Sequence, residues 1–207
     1  MKPEEIEALS FKIIDEEAGA HDFPDDQWQI VRRMIYTSAD FEYMQTVRFH
    51  PEAIAAGIRA IQNGKAVVTD TNMALAGIRK KEIERLGGSS TCLINDPAVA
   101  ATALKAGSTR AKAAAEAAAD MMHGGIYVVG NAPTALFEVI RLMTAQQAAP
   151  ALVVGLPVGF VNAAESKQAL IEHNTPYITN VGRKGGSNIA ACVINALIIQ
   201  ATAEGRG

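Results

Sequence analysis

From Lys65 onward the chain repeats one rhythm: a short apolar run, a loop, then a helical stretch. The runs are Ala66–Thr69, Thr91–Ile94, Ile126–Val129, Ala151–Leu156 and Pro176–Thr179. Most are apolar nearly throughout and lack the alternation of a strand with one wet face, so they read as strands buried on both faces. A helix between successive strands is the crossover that parallel pairing requires. The expectation is an α/β chain, a three-layer α/β/α sandwich with five parallel strands and right-handed crossovers.

The residues before Lys65 read as helix alone. Pro3–Ala18 carries apolar Ile6, Leu9, Ile13 and Ile14, with Gly19 as its stop. A second helix begins at Pro24 and runs to about Tyr36; a third begins at His50-Pro51 and ends at Asn63-Gly64. Within the sheet region, one helix runs on to Leu86-Gly87-Gly88, and Asp96-Pro97 starts another that Gly107 stops. Ser108 or Thr109 caps the Ala-rich RAKAAAEAAADMM, which Gly124 ends. GNAPTALFEVIRLM follows the third strand; Asn162 with Glu165 suggests a capping box for the next helix, and the last helix spans about Asn188 to Ala203. The whole chain, 1–207, reads as a single domain: a helical extension over 1–64 and an α/β core over 65–207.

Aromatic residues make up only 5%, so Ala, Val, Ile and Leu must build the core. A net charge of -3 argues against a nucleic-acid surface; an anionic ligand would need a local cluster of Arg and Lys. Cys92 and Cys192 lie in apolar runs outside any CxxC, which suits buried thiols in a reducing compartment. No apolar stretch reaches membrane-spanning length, and the charged MKPEEIEALS lacks the apolar core of a signal peptide, so a cytoplasmic location is expected.

In parallel sheets ligands bind at the carboxyl ends of the strands. Four loops there are rich in glycine and polar groups: Asp70-Thr71-Asn72-Met73, Gly130-Asn131-Ala132-Pro133-Thr134, Pro157 to Asn162, and Gly182-Arg183-Lys184-Gly185-Gly186-Ser187. Glycine lets backbone approach a ligand closely, and helix N-termini offer free N–H groups to anions. GRKGGS lacks the spacing of a Walker A loop, and no GxGxxG follows the first strand, which weighs against a nucleotide-dependent enzyme. Two readings of the loop stand on spacing alone: a carboxylate-binding site with Arg183 and Lys184 as its cations, or a turn whose cations are solvated. Arg33 and Tyr36 share a helix face, where Tyr36 could equally pack with its hydroxyl at the sheet edge. His50 reads as a cap or surface residue, and His123 and His173 as structural.

Together the segments IEALSFKII, VVTDTNMALAGI, STRAKAAAEAA, VVGNAPTALFEVI, GLPVGFVNAAESKQAL and VGRKGGSNIAACVINAL resemble one family, the precorrin-8X (cobalt-precorrin-8) methylmutases of cobalamin biosynthesis. The resemblance implies a flavodoxin-like sheet in the order 2-1-3-4-5 and a homodimer with sites near the subunit interface. It implies a corrinoid tetrapyrrole substrate, with or without cobalt, whose methyl group moves from C-11 to C-12. No cofactor and no metal ligand set are implied. By this resemblance Ser10, Arg33 and Arg110 match substrate-binding positions, Asp70, Asn131 and Thr134 fall in matching loops, and Arg183, Lys184 and Ser187 face the carboxylate arms. The family places a proton-donating histidine in an R-x-x-H arrangement; here Arg33-Met34-Ile35-Tyr36 sets Tyr36 in its place. A phenol donates a hydrogen bond but is a weaker acid than imidazolium. This admits an alternative, a corrin carrier that does no chemistry.

Overall fold

The computed structural model describes residues 2–204. In chain order the helices are α1 (Pro3–Ala18), α2 (Asp25–Ser38), α3 (Tyr43–Thr46), α4 (Ala53–Gln62), α5 (Asn72–Gly77), α6 (Lys80–Arg85), α7 (Pro97–Ala106), α8 (Arg110–Ala117), α9 (Pro133–Thr144), α10 (Ala163–Glu172) and α11 (Ser187–Glu204). The strands are β1 (Val47–Phe49), β2 (Val67–Thr69), β3 (Ser90–Thr91), β4 (Ile126–Val129), β5 (Leu152–Gly155) and β6 (Tyr177–Asn180).

The sheet has six strands in the order β1-β6-β5-β4-β2-β3. Strands β2 to β6 pair in parallel. The expectation of five all-parallel strands misses β1, which pairs antiparallel with β6 through Val47↔Asn180, Arg48↔Thr179 and Phe49↔Ile178. His50 N–H extends this pairing by donating to the Tyr177 carbonyl at 2.9 Å. The exposed Arg48 suits an edge, where a charge discourages further strand addition.

The register explains the two-sided core. Val67, Ile126 and Leu152 form one row across β2, β4 and β5, and all three pack in a core with α2, α4 and α11. The next row, Val68, Tyr127 and Val153, faces the opposite core, built with Ala115 of α8, Leu136 and Val139 of α9 and Leu170 of α10. Helix α11 is apolar on nearly every side and lies buried beneath the N-terminal helices. Residues 2–64 are thus built into the main core: they supply an edge strand and much of one helical layer.

Local departures from the sequence reading have tertiary causes. The helix after β2 breaks into α5 and α6 because Asn195 of α11 satisfies the groups at the break. Its Nδ2 donates to the Gly77 carbonyl at 2.8 Å, and its Oδ1 accepts from Arg79 N–H at 2.9 Å. The Ala-rich helix stops at Ala117 and continues as a short 3-10 turn, Asp120–Met122. Asn162 does precede α10, but in a left-handed conformation (φ 62°) with no side-chain cap bond, so the expected capping box does not form. Thr109 and Asp96 cap α8 and α7 as expected, accepting from Lys112 and Ala98 N–H. No helix among the described residues is long and apolar enough to cross a membrane.

Candidate active site

The loops at the carboxyl ends of β2, β4, β5 and β6 are fastened to one another from below. Asp70 follows β2 and is 1% exposed. One carboxylate oxygen accepts from Gly130 N–H at 2.9 Å; the other accepts from Asn131 and Ala132 N–H at 2.9 and 2.8 Å. Burial pushes this carboxyl up, and the three N–H donors oppose that shift. Asp70 therefore holds the entry to α9; the sequence reading placed it against substrate, but its carboxylate lies beneath the rim.

Ser187 is likewise 7% exposed, with its hydroxyl 2.8 Å from that of Thr71. The Ser187 backbone crosses Gly130 so closely that a Cβ there would lie 2.6 Å from Ser187 Cα, so glycine is required. This contact brings the β2, β4 and β6 loops together. Around them Asn131 and Arg110 are exposed, and Thr134 is half-buried, accepting from the Thr109 hydroxyl at 2.9 Å.

The GRKGGS loop is pinned from three sides. Gly186 N–H donates to the Leu156 carbonyl at 2.9 Å and Gly159 N–H donates to the Arg183 carbonyl at 3.1 Å. Lys167 of α10, 0% exposed, donates to the Lys184 carbonyl at 2.7 Å and to Asn180 Oδ1 at 3.1 Å. The exposed Arg183 guanidinium lies 5.4 Å from the centre of the Phe160 ring. Lys184 points elsewhere: its ammonium meets Asp40 Oδ2 at 2.5 Å and Glu42 Oε2 at 2.8 Å. These bonds raise the Lys184 pKa and lower that of Asp40.

Asp40 lies just past the end of α2, which carries the second group of expected residues. Tyr36 is 43% exposed, its ring edge-on to Phe11 at 5.3 Å between centroids. Its hydroxyl has no hydrogen-bond partner among the described residues. Arg33 lies over the same Phe11 ring at 5.1 Å and donates to Glu7 at 2.9 Å. Ser10 donates to its own helix at the Ile6 carbonyl, 2.8 Å away. Ser10 and Tyr36 share a cavity of 390 Å³ with Ile13, Glu17, Ile35 and Phe41. Glu17 and Phe41 also line an adjoining cavity of 680 Å³. The structure thus brings Ser10, Arg33 and Tyr36 together on one patch and the strand-end loops on another, with the Lys184 ion pairs joining α2 to the last loop.

Two residues of this arrangement escape the sequence reading. Phe160 lies in the loop from Pro157 to Asn162, yet nothing local signals its 84% exposure or its Arg183 partner. Lys167 left a trace: it falls on the inward stripe of α10 with Ala163, Ser166 and Leu170.

Beneath the Tyr36 patch, burial pushes the Cys192 thiol up to about 12 from 9.0. A folded pKa above the unfolded one favours folding below pH 9 and loses that contribution as pH rises toward 12. Lys167 acts in the opposite sense between pH 8 and 10.5, because burial lowers its value to about 8. Replacement of Cys192 by Ala leaves the Lys167 contribution in place. The stability of wild type relative to Cys192→Ala is expected to fall by about 1.4 kcal/mol per pH unit above pH 9. Urea unfolding midpoints from pH 8 to 10.5 measure this; parallel curves would contradict it.

Comparison with known proteins agrees with this architecture. A family model described as Precorrin-8X methylmutase matches residues 5–200. The chain is 48% identical to the cobalt-precorrin-8 methylmutase of Priestia megaterium, covering 97% of this chain and 89% of that protein. It is 41% identical to the cobalt-precorrin-8 methylmutase of Leptospira interrogans, with 97% and 94% covered. The crystal structure of precorrin-8x methyl mutase from Thermus thermophilus superposes with a TM-score of 0.90 at 42% identity, covering 98% of each chain. The chain belongs to the precorrin-8X methylmutase family.

Proposed function

We propose that this protein is an isomerase of cobalamin biosynthesis, moving a methyl group from C-11 to C-12 of precorrin-8X or cobalt-precorrin-8 to give hydrogenobyrinate or cobyrinate. The single observation that carries the chemistry is the free, outward-facing hydroxyl of Tyr36, at the helix position where the family is expected to place a proton-donating histidine. A hydrogen bond from this hydroxyl to the ring-C side of the macrocycle draws electron density toward the acceptor and eases the migration. Binding then fixes the substrate in a reactive shape. The curated relatives named above carry the cobalt form in their names, which favours cobalt-precorrin-8 as substrate. With cobalt already on the ring nitrogens, protonating one of them matters less, and a hydrogen-bond donor weaker than imidazolium suffices.

In this reading Ser10 and Arg33 flank Tyr36, and Arg183, Arg110, Asn131 and Thr134 meet the carboxylate arms. Asp70 and Ser187 hold the loops from beneath. Lys184 reaches substrate only by giving up Asp40 and Glu42, so its first role is to tie the last loop to α2. The reading includes a homodimer: Ile6, Leu9 and Ile13 form an exposed apolar stripe on α1 beside the Tyr36 cavity, which suits cover by a second copy. It also includes a reducing, cytoplasmic setting, in keeping with the free thiols of Cys92 and Cys192. The flavodoxin-like description of β2 to β6 belongs with this reading.

Single-turnover incubation with cobalt-precorrin-8, followed through the absorption spectrum of the macrocycle, tests the proposal. Conversion to cobyrinate is the expected result. Tight binding without a spectral change would replace the mutase with a carrier.

A further inference from the structure

The Lys167 ammonium is the one feature near the strand-end loops that neither the proposed chemistry nor simple packing uses. It is 0% exposed and forms no ion pair among the described residues. Burying an ammonium without a carboxylate costs free energy, and an apolar residue of similar length would pack there at less cost. Its two partners show where it acts. The Lys184 carbonyl accepts from Lys167 Nζ at 2.7 Å and from Asn180 Nδ2 at 3.0 Å, while Asn180 Oδ1 accepts from Lys167 at 3.1 Å. Asn180 ends β6 and is itself fully buried. These three groups close a ring at the base of the loop.

Apart from the Lys184 ion pairs with Asp40 and Glu42, the loop on either side of that ring is tied by backbone. The Arg183 carbonyl accepts from Gly159 N–H, and Gly186 N–H donates to the Leu156 carbonyl. The backbone at Gly185 approaches the Leu156 carbonyl so closely that a side chain there would collide with it. With Lys184 O fixed from below, the preceding residue is turned outward and its guanidinium comes to lie over Phe160.

We infer that Lys167 is a positioning residue: it fixes the backbone of residues 182–186 and so aims Arg183 at an anionic ligand, without touching that ligand itself. The inference rests on the corrin-binding reading above for the ligand, but the hold on the loop stands by itself. Lys167→Met keeps length and removes the donor.

The test compares wild type, Lys167→Met, Arg183→Ala and the double variant. Amide hydrogen exchange of residues 182–186 and titration with hydrogenobyrinate are the two readouts. Lys167→Met removes a buried charge but leaves the buried Asn180 Oδ1 without a donor, so its melting temperature should change little, while its loop amides exchange about 10-fold faster or more. Its affinity for hydrogenobyrinate should fall by about 10-fold, as in Arg183→Ala, and the double variant should bind no more weakly than Arg183→Ala alone. Wild-type exchange in Lys167→Met, or two losses of affinity that multiply in the double variant, would overturn the assignment. If Lys167→Met does not fold, Lys167→Gln, which keeps a neutral donor, is read by the same two measurements, with smaller effects expected in the same direction and wild-type behaviour in both overturning the assignment. Failure of wild type to bind both hydrogenobyrinate and cobyrinate would sink the ligand reading, and the exchange measurement would still decide the hold on the loop.

Discussion

Asp70→Ala is expected to be the most destabilising single substitution in the site. It strips three backbone N–H groups of their acceptor at once: that of Gly130, which is buried, and those of Asn131 and Ala132, which are part-buried. An unsatisfied buried donor costs about 1–3 kcal/mol and a part-buried one less, so the loss should total about 3–6 kcal/mol. That is a large share of the roughly 5–15 kcal/mol that holds a domain folded. For a chain of this size the melting temperature should drop by about 10–20 °C. Asp70→Asn retains one acceptor oxygen but turns an NH₂ group toward N–H donors, so it should lose about half as much. The exposed neighbour Asn131 provides the contrast: Asn131→Ala keeps its backbone N–H and should stay within about 0.5 kcal/mol of wild type. Urea unfolding of the three variants decides the point. An Asp70→Ala protein within about 1 kcal/mol of wild type would show that Asp70 is no clamp, and would return its carboxylate to consideration as a ligand for substrate.

The second large effect is on rate. Tyr36→Phe removes one hydroxyl that has no partner among the described residues and leaves the edge-on contact with Phe11 in place. Its fold should therefore be unaffected. Loss of a proton or hydrogen-bond donor from the reacting centre should slow single-turnover conversion by about 100-fold or more. Product affinity, which loses one hydrogen bond at most, should weaken by less than about 10-fold. Tyr36→His restores the donor that the family resemblance leads one to expect, and should convert substrate with a pH dependence centred near the imidazole pKa of about 6.5. Wild-type turnover in Tyr36→Phe would remove this residue from the chemistry.

How much of this was legible before the structure follows from where each signal resides. Val67 to Thr69, Ile126 to Val129 and Leu152 to Gly155 are apolar, or nearly so, from end to end, and local sequence alone marks them as central strands. β1 has three residues, one of them Arg48, and becomes a strand only by pairing with β6 far along the chain. The break between α5 and α6 is held by Asn195, more than a hundred positions away, and Gly77 at the end of α5 is its one local sign. The site divides in the same way. Tyr36 and Arg33 share a face because they lie three positions apart on a helix, which spacing reveals. The capture of Lys184 by Asp40 and Glu42, and the burial of Asp70 under α9, are tertiary contacts between segments that sequence lists far apart. A motif identifies a loop's composition; which way its cations point is settled by what packs around it.

A crystal structure of the protein with its corrinoid product bound examines the assembled site directly. The account predicts a macrocycle whose ring C lies within hydrogen-bond reach of the Tyr36 hydroxyl, with a carboxylate arm on the Arg183 guanidinium. A product seated away from both, or none bound after soaking with cobyrinate, would contradict it.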